Sequence, residues 1–399
     1  MKAIFLSLKA ISGKHLLACC GGNRLQHFGF SKRDGLLPIG QLNSLTTKMK
    51  KLMQPLRKLS WALLALVLLA SCRRNDDTQP ISYPYESGIF VANEGPFQNG
   101  TGTITWYHPD SAMAKQNIFQ QANDGQPLGN IVQSLTFGDS LGYIVVNNAH
   151  KVVVVRANTF EQLATIEGVA LPRYLIVDGA KGYLSQWGAD GTSGSVAIID
   201  LSSRIVEATI ATGSGAESLL LDGKLLYVAN AGGFGSDSTV AVIDLENRQL
   251  VQTIVVGPNP NTLVKDQNGA IWVVCSGNWS TGAKGQLVQI VNGAVAQQFE
   301  IETGSGRLTI DTDGTTLFFI NGFGGAIWQH PIDATTLRTE AFVSGSFYSL
   351  GFDYSRGWLL ASDAGDFNSD GEVRIYNMAG QQVDAFSAGI IPAYFAVRQ

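Results

Sequence analysis

Residues 222–257, DGKLLYVANAGGFGSDSTVAVIDLENRQLVQTIVVG, hold three apolar runs of strand length: Leu225 to Ala229, Thr239 to Ile243 and Leu250 to Val256. Clusters of Gly, Ser, Asp and Asn, which break helices and build turns, separate them. The runs are rich in Val, Ile, Leu and Tyr and too short for helices, so the stretch predicts a small antiparallel sheet. Ile243-Asp244-Leu245-Glu246-Asn247 supplies the side-chain acceptors of a hairpin turn. A sheet this small needs neighbours to bury its two faces.

Those neighbours are copies of the same unit. With the aromatic residue of the second strand as the mark, Phe90, Tyr143, Tyr183, Tyr227, Trp272, Phe318 and Trp358 recur at a spacing of about 45 residues, which suits the blades of a propeller. After each mark comes a Gly-rich loop and a further run, such as Gly194-Ser-Val-Ala-Ile-Ile-Asp, Ser238-Thr-Val-Ala-Val-Ile-Asp or Gly325-Ala-Ile-Trp. The expected fold is all-β, a seven-bladed β-propeller. With 45 Gly against 12 Pro and only 15% charged residues, the composition is that of many short strands joined by tight turns. The first blade, Gly88-Ile-Phe-Val-Ala-Asn93, has no inner strand before it. Pro392-Ala-Tyr-Phe-Ala-Val397 is similar to Pro172-Arg-Tyr-Leu-Ile-Val177, which leads into the third blade. The C-terminal strand is therefore expected to pair with the N-terminal blade and close the ring, removing its open edges.

Residues 1–48 share no pattern with the remainder of the chain and read as an over-extended gene start. From Met49, or Met53, a basic segment precedes the apolar run Trp61 to Leu69 and then Leu69-Ala-Ser-Cys72, the pattern of a secretory leader across 49–71. The run is too short to span a bilayer as a helix. Residues 72–86, polar and holding Pro80 and Pro84, read as a tether, and 87–399 as the propeller. Residues 1–71 carry 11 of the 28 Lys and Arg but one of the 32 acids, Asp34, so the remainder has 17 bases, 31 acids and a net charge of −14. Such a surface repels phosphate backbones and argues against nucleic acid as a partner. Cys275, inside a strand, would then have no disulfide partner and reads as a small buried hydrophobe rather than a nucleophile.

Three features bear on a site. In a propeller the inner strands start, and the second strands end, on one face around the central channel. The second position of each inner-strand motif gives Gln133, Arg173, Glu217, Asn261, Gly306, Tyr348 and Ala393, with Arg307 beside the glycine: a mixed polar ring suited to a ligand mouth. The loops after the second strands carry Phe97, Trp187, Phe234, Trp279, Phe323 and Phe367 among Gly, Asn and Ser, where strand periodicity demands no hydrophobe. These rings either form a recognition rim or fold down to cap the blades. Third, Asp366-Phe-Asn368-Ser-Asp370-Gly371 has the alternating oxygens and turn glycine of a calcium loop but lacks the remote acid, with Asn377 in its place; a plain Asx-rich turn is the other reading. Catalytic patterns are missing: His108, His150 and His330 fall in different blades, and Asp200 and Asp244 hold the repeated hairpin position.

The leader resembles a bacterial lipoprotein signal with Cys72 as the lipidated residue. The aromatic-x-x-Asn step (Phe90 to Asn93, Tyr227 to Asn230, Phe318 to Asn321) and the Val-Ile-Asp ending resemble the YncE-like seven-bladed propellers, in particular a Bacteroidetes family of surface lipoproteins. Asp76 and Asp77 partly match the acidic export signal of such lipoproteins, although Arg73 and Arg74 come first. The resemblance implies a lipid-anchored, non-enzymatic protein at the outer membrane and cell surface. It would bind a small ligand, cobalamin being favoured, and pass it to a TonB-dependent transporter. A protein-interaction or adhesion scaffold and a quinoprotein-like oxidoreductase are the alternatives.

Overall fold

A computed structural model describes residues 83–97 and 100–399. The leader, Cys72 and the tether up to residue 82 lie outside the described residues. In the quoted stretch the strands are Leu225–Asn230, Thr239–Asp244 and Gln249–Val255, and the preceding Ala216–Asp222 adds an inner strand. All four are antiparallel and lie in chain order from channel to rim. Six such sheets and one of three strands succeed one another around the ring, each with its predicted mark in the second strand. Asp244 accepts the backbone N–H groups of Glu246 and Asn247 at 2.9 and 3.1 Å, and Asp200 accepts that of Ser203 at 2.8 Å, so both aspartates hold hairpin turns.

The strands read as nearly continuous apolar runs because both faces of each blade are covered. In blade 2, Ile144 and Val146 pack with Phe90 and Ile104 of blade 1, while Tyr143 and Val145 pack with Leu184 and Ala197 of blade 3. Successive residues thus serve opposite interfaces, as the two-residue period of a strand requires. Each such buried side chain contributes roughly 1.5–3 kcal/mol. Cys275 sits wholly buried between blades 4 and 5, and burial pushes its thiol far above the usual range, which leaves it inert.

Closure is as expected. Pro392–Arg398 is the inner strand of blade 1 and pairs antiparallel with Gly88–Asn93, from Gly88 opposite Arg398 to Asn93 opposite Pro392. Blade 6 departs from the repeat. It has only Gly306–Ile310, Thr316–Asn321 and Ala326–Pro331, and its outer edge is met by an isolated bridge between Ile327 and Val343. The segment from Thr335 to Phe347 contains no run of strand-forming residues long enough to make the fourth strand.

The same blade carries an unusual buried group. His330 is fully buried between the rings of Trp272 and Phe299, with neither ring nitrogen hydrogen-bonded. Burial lowers its pKa from 6.5 to about 4, against a weaker upward pull from Asp333. Between those values the unfolded chain binds a proton that the folded chain refuses, so this contribution is present above pH 6.5 and is lost as the pH falls towards 4. The expected loss is at most about 3 kcal/mol. In chemical-denaturation curves taken from neutral pH down to pH 4, wild type should lose stability relative to His330→Phe on acidification; parallel pH profiles would rule the histidine out as a source of acid sensitivity.

Candidate functional site

The ring residues share a local cause. In six of the seven blades the inner strand slips register by a bulge near its start, skipping Gln133, Arg173 with Tyr174, Glu217 with Ser218, Asn261, Arg307 and Ala393. A bulge frees a residue from the ladder and re-aims its side chain, so the blades turn these groups into the mouth of the channel. In blade 7, Tyr348 stands immediately before the strand Ser349–Asp353, its N–H donated to the Ser362 carbonyl at 2.7 Å.

Two polar layers result. In the first, Arg173 and Glu217 form a two-pronged ion pair, Nε to Oε2 at 2.8 Å and Nη2 to Oε1 at 2.7 Å, with both side chains largely buried. Trp187 closes over it: its indole N–H donates to Glu217 at 2.9 Å, and the Arg173 guanidinium lies 4.2 Å from the ring centre. Burial alone would lower the pKa of Arg173, but Glu217, with Tyr174 and Glu94 behind it, holds the value above the ordinary one. In the second layer, Gln133 and Arg307 both donate to the Tyr174 hydroxyl, at 3.2 and 2.9 Å, and Tyr394 packs 5.7 Å from Tyr174. This layer separates a mouth cavity of about 200 Å³ from a channel cavity of about 300 Å³, with Arg307 and Asn261 lining both.

Glu94 is a functional candidate absent from the sequence-predicted set. It comes directly after the second strand of blade 1 just as Trp187 comes after that of blade 3, and its Oε1 accepts the Tyr348 hydroxyl at 3.2 Å. Burial raises its carboxyl above the usual range, opposed by Arg307, Arg173 and the Tyr348 hydrogen bond. The shared repeat position was the signal.

The six loop aromatics divide. Phe97, Phe234, Trp279 and Phe323 are 67–75% exposed and Phe367 is 37% exposed, so these five do not cap blade cores. Phe323 and Phe367 stack at 6.2 Å, Tyr348 meets Phe367 edge-on at 5.5 Å, and Phe323 borders the mouth cavity. Together with Trp279 they form an aromatic arc over blades 5 to 7. Trp187 is half-buried as a strut on the ion pair, with Phe234 edge-on to it at 5.6 Å. Phe234 also lies on Gly191, where φ is +72° and a Cβ would come within 2.1 Å of the ring, so a side chain there would strain the backbone and displace the ring.

Two sets of the sequence-predicted residues already have partners. Arg173 and Glu217 satisfy each other in a buried pair at the mouth. In the 366–371 loop, Asp366 accepts the N–H groups of Asn368 and Ser369 at 3.0 and 2.8 Å, and the Asn368 amide donates to the Asp366 carbonyl at 2.9 Å. Those oxygens close an Asx turn, and among the described residues no three acidic, His or Cys side chains converge as a metal site. Asp370 opens the strand Asp370–Tyr376, paired opposite Ile390.

A family model described as "Domain of unknown function (DUF5074)" matches residues 87–355. No curated protein matches the sequence. Among solved structures, the chain is similar to hydrazine synthase of Kuenenia stuttgartiensis, at 18% identity over 65% of this chain and 88% of that one, with a TM-score of 0.53. A "Quinonprotein alcohol dehydrogenase-like protein" of Bacteroides thetaiotaomicron is similar at 13% identity over 79% of each chain, TM-score 0.58. A 6-phosphogluconolactonase candidate of Bacteroides fragilis is similar at 14% identity over 79% of this chain and 99% of that one, TM-score 0.59. At these identities the likeness is one of fold alone.

Proposed function

The chain belongs to the DUF5074 family, whose description assigns no function, and from its own surface we propose that it is a non-enzymatic binding propeller that captures a ligand on its aromatic face. The observation that carries this reading is the exposed arc of Trp279, Phe323 and Phe367 beside a polar mouth. Large flat rings with few torsions bind amphipathic molecules by stacking at low entropic cost, while polar groups fix orientation. The mouth cavity, about 200 Å³, is too small to enclose a drug-sized ligand, for which pockets run to roughly 300–1,000 Å³. A large ligand would therefore lie across the rim with one group in the mouth. The acids engaged there favour binding over chemistry: Glu217 is paired with Arg173 and Glu94 is bonded by Tyr348.

The leader ending at Cys72 and the YncE-like resemblance support a lipid-anchored protein of the outer membrane and cell surface. In that setting cobalamin is the favoured ligand and a TonB-dependent transporter the receiver. Calorimetric titration with cyanocobalamin is the direct test. Phe323→Ala and Trp279→Ala should each weaken binding by roughly 1–3 kcal/mol while leaving the melting temperature nearly unchanged. Unaltered affinity in both variants would move the site away from the arc. The same exposed arc favours one second reading, a protein-interaction or adhesion face; absence of any cobalamin heat would leave that reading in possession of the rim.

A further inference from the structure

We propose that Arg307 is the anchor for a singly charged oxyanion, a carboxylate or a phosphodiester, carried on a flat apolar body that stacks on Phe323. The inference rests on the reading of the rim as a binding face and names the chemical class of its ligand.

Arg307 occupies the bulge of blade 6 with φ at +54°, a backbone conformation uncommon outside glycine and therefore held by its surroundings. Its side chain lines the mouth cavity together with Asn261, Tyr348 and Phe323. The guanidinium presents five N–H donors in a plane, yet one side-chain bond uses it, the 2.9 Å contact to Tyr174. Among the described residues it has no ion pair, whereas Arg173, in the same mouth, is fully matched by Glu217. Arg307 is half-buried, and partial withdrawal of a cation from water carries a penalty that a counter-charge offsets. Glu217 is taken by Arg173 and Trp187, and Glu94 is hydrogen-bonded by Tyr348 rather than by Arg307. The free donors are left to the cavities that Arg307 lines, where the fork matches a carboxylate or phosphate edge.

The charge of the ligand is set by the neighbours. Glu217 lines the mouth cavity, so a doubly charged phosphate would meet its negative charge, while a single charge is balanced by Arg307. Phe323 stands at the lip of the same cavity and is 67% exposed, which places a stacking surface next to the anchor.

Three probes of one ring system test this: 2-naphthoate, methyl 2-naphthyl phosphate and the neutral 2-naphthamide, titrated by calorimetry into the folded protein. At least one anion should bind ten-fold or more tighter than the amide, and the tighter of the two identifies the group. Arg307→Gln should bring the anions to the level of the amide, and Phe323→Ala should weaken all three. If Arg307→Gln fails to fold, Arg307→Lys, which keeps the charge but loses the fork, should retain part of the preference. In wild type, added salt should weaken the anions and leave the amide unchanged. Equal binding of acid and amide by wild type would overturn the anchor while leaving the aromatic rim standing; binding of none of the three would remove both.

Discussion

A chain ending at Ile390 is expected to lose its fold cooperatively. The nine residues Ile391–Gln399 contain the inner strand of blade 1, and without them Gly88–Asn93, buried along its whole length, becomes an inner edge facing an open channel. The loss extends beyond one ladder. Ile391 also receives the backbone N–H of Glu94 at 2.9 Å, Ser349 and Ser362 donate to the carbonyls of Ala393 and Pro392, and Phe395 packs into the core shared with blade 7. Truncating one large aromatic in such a core costs about 3–5 kcal/mol, and whole domains are stable by only about 5–15 kcal/mol. Phe395→Ala should therefore lower the denaturation midpoint measurably, and the deletion should abolish the transition. Circular dichroism melts of the two variants beside wild type check this; a deletion variant with an unchanged melt would show that the ring holds without its closing strand.

The closing strand was legible because Pro392-Ala-Tyr-Phe-Ala-Val397 repeats the pattern of Pro172-Arg-Tyr-Leu-Ile-Val177, and the blades because both of their faces demand apolar side chains. Position within the repeat likewise located the mouth: Gln133, Arg173, Glu217, Asn261 and Arg307 all lie at bulges. Pairing between neighbouring blades was not legible. Arg173 and Glu217 stand one repeat apart in the chain, and nothing local to either says that the two side chains meet rather than face a ligand. The same holds for Trp187: its indole is tied to Glu217, which no pattern in its own loop announces. Glu94 shares its loop with Phe97 and carries no local mark beyond its place directly after the second strand, which it has in common with Trp187. The missing outer strand of blade 6 leaves only a weak trace, since its three other strands fit the unit well.

The Arg173–Glu217 pair then makes a prediction opposite to that for a free mouth group. Both partners are largely buried, and two parallel hydrogen bonds join them. Replacing Arg173 by Met leaves the Glu217 carboxylate in a site of low polarity with the Trp187 N–H as its remaining side-chain donor. Replacing Glu217 by Leu strands the guanidinium and removes the acceptor for Trp187. Each single change is expected to cost about 3–5 kcal/mol, because an unmatched buried charge retains its desolvation penalty and loses its compensation. The double replacement should cost much less than the sum, since it withdraws both charges together and leaves apolar side chains of similar bulk beneath the indole. Urea denaturation of the four proteins completes the cycle. Single variants that each lose less than about 1 kcal/mol, with additive effects, would return the pair to the class of exposed ion pairs. In that event Arg173 would again be free to meet a ligand, and Arg307 would no longer be the one unmatched cation of the mouth. Strong coupling would instead confine recognition to the arc of Phe323, Phe367 and Trp279 and to the cavity above Arg307, with the ion pair and Trp187 as the fixed wall against which a ligand is held.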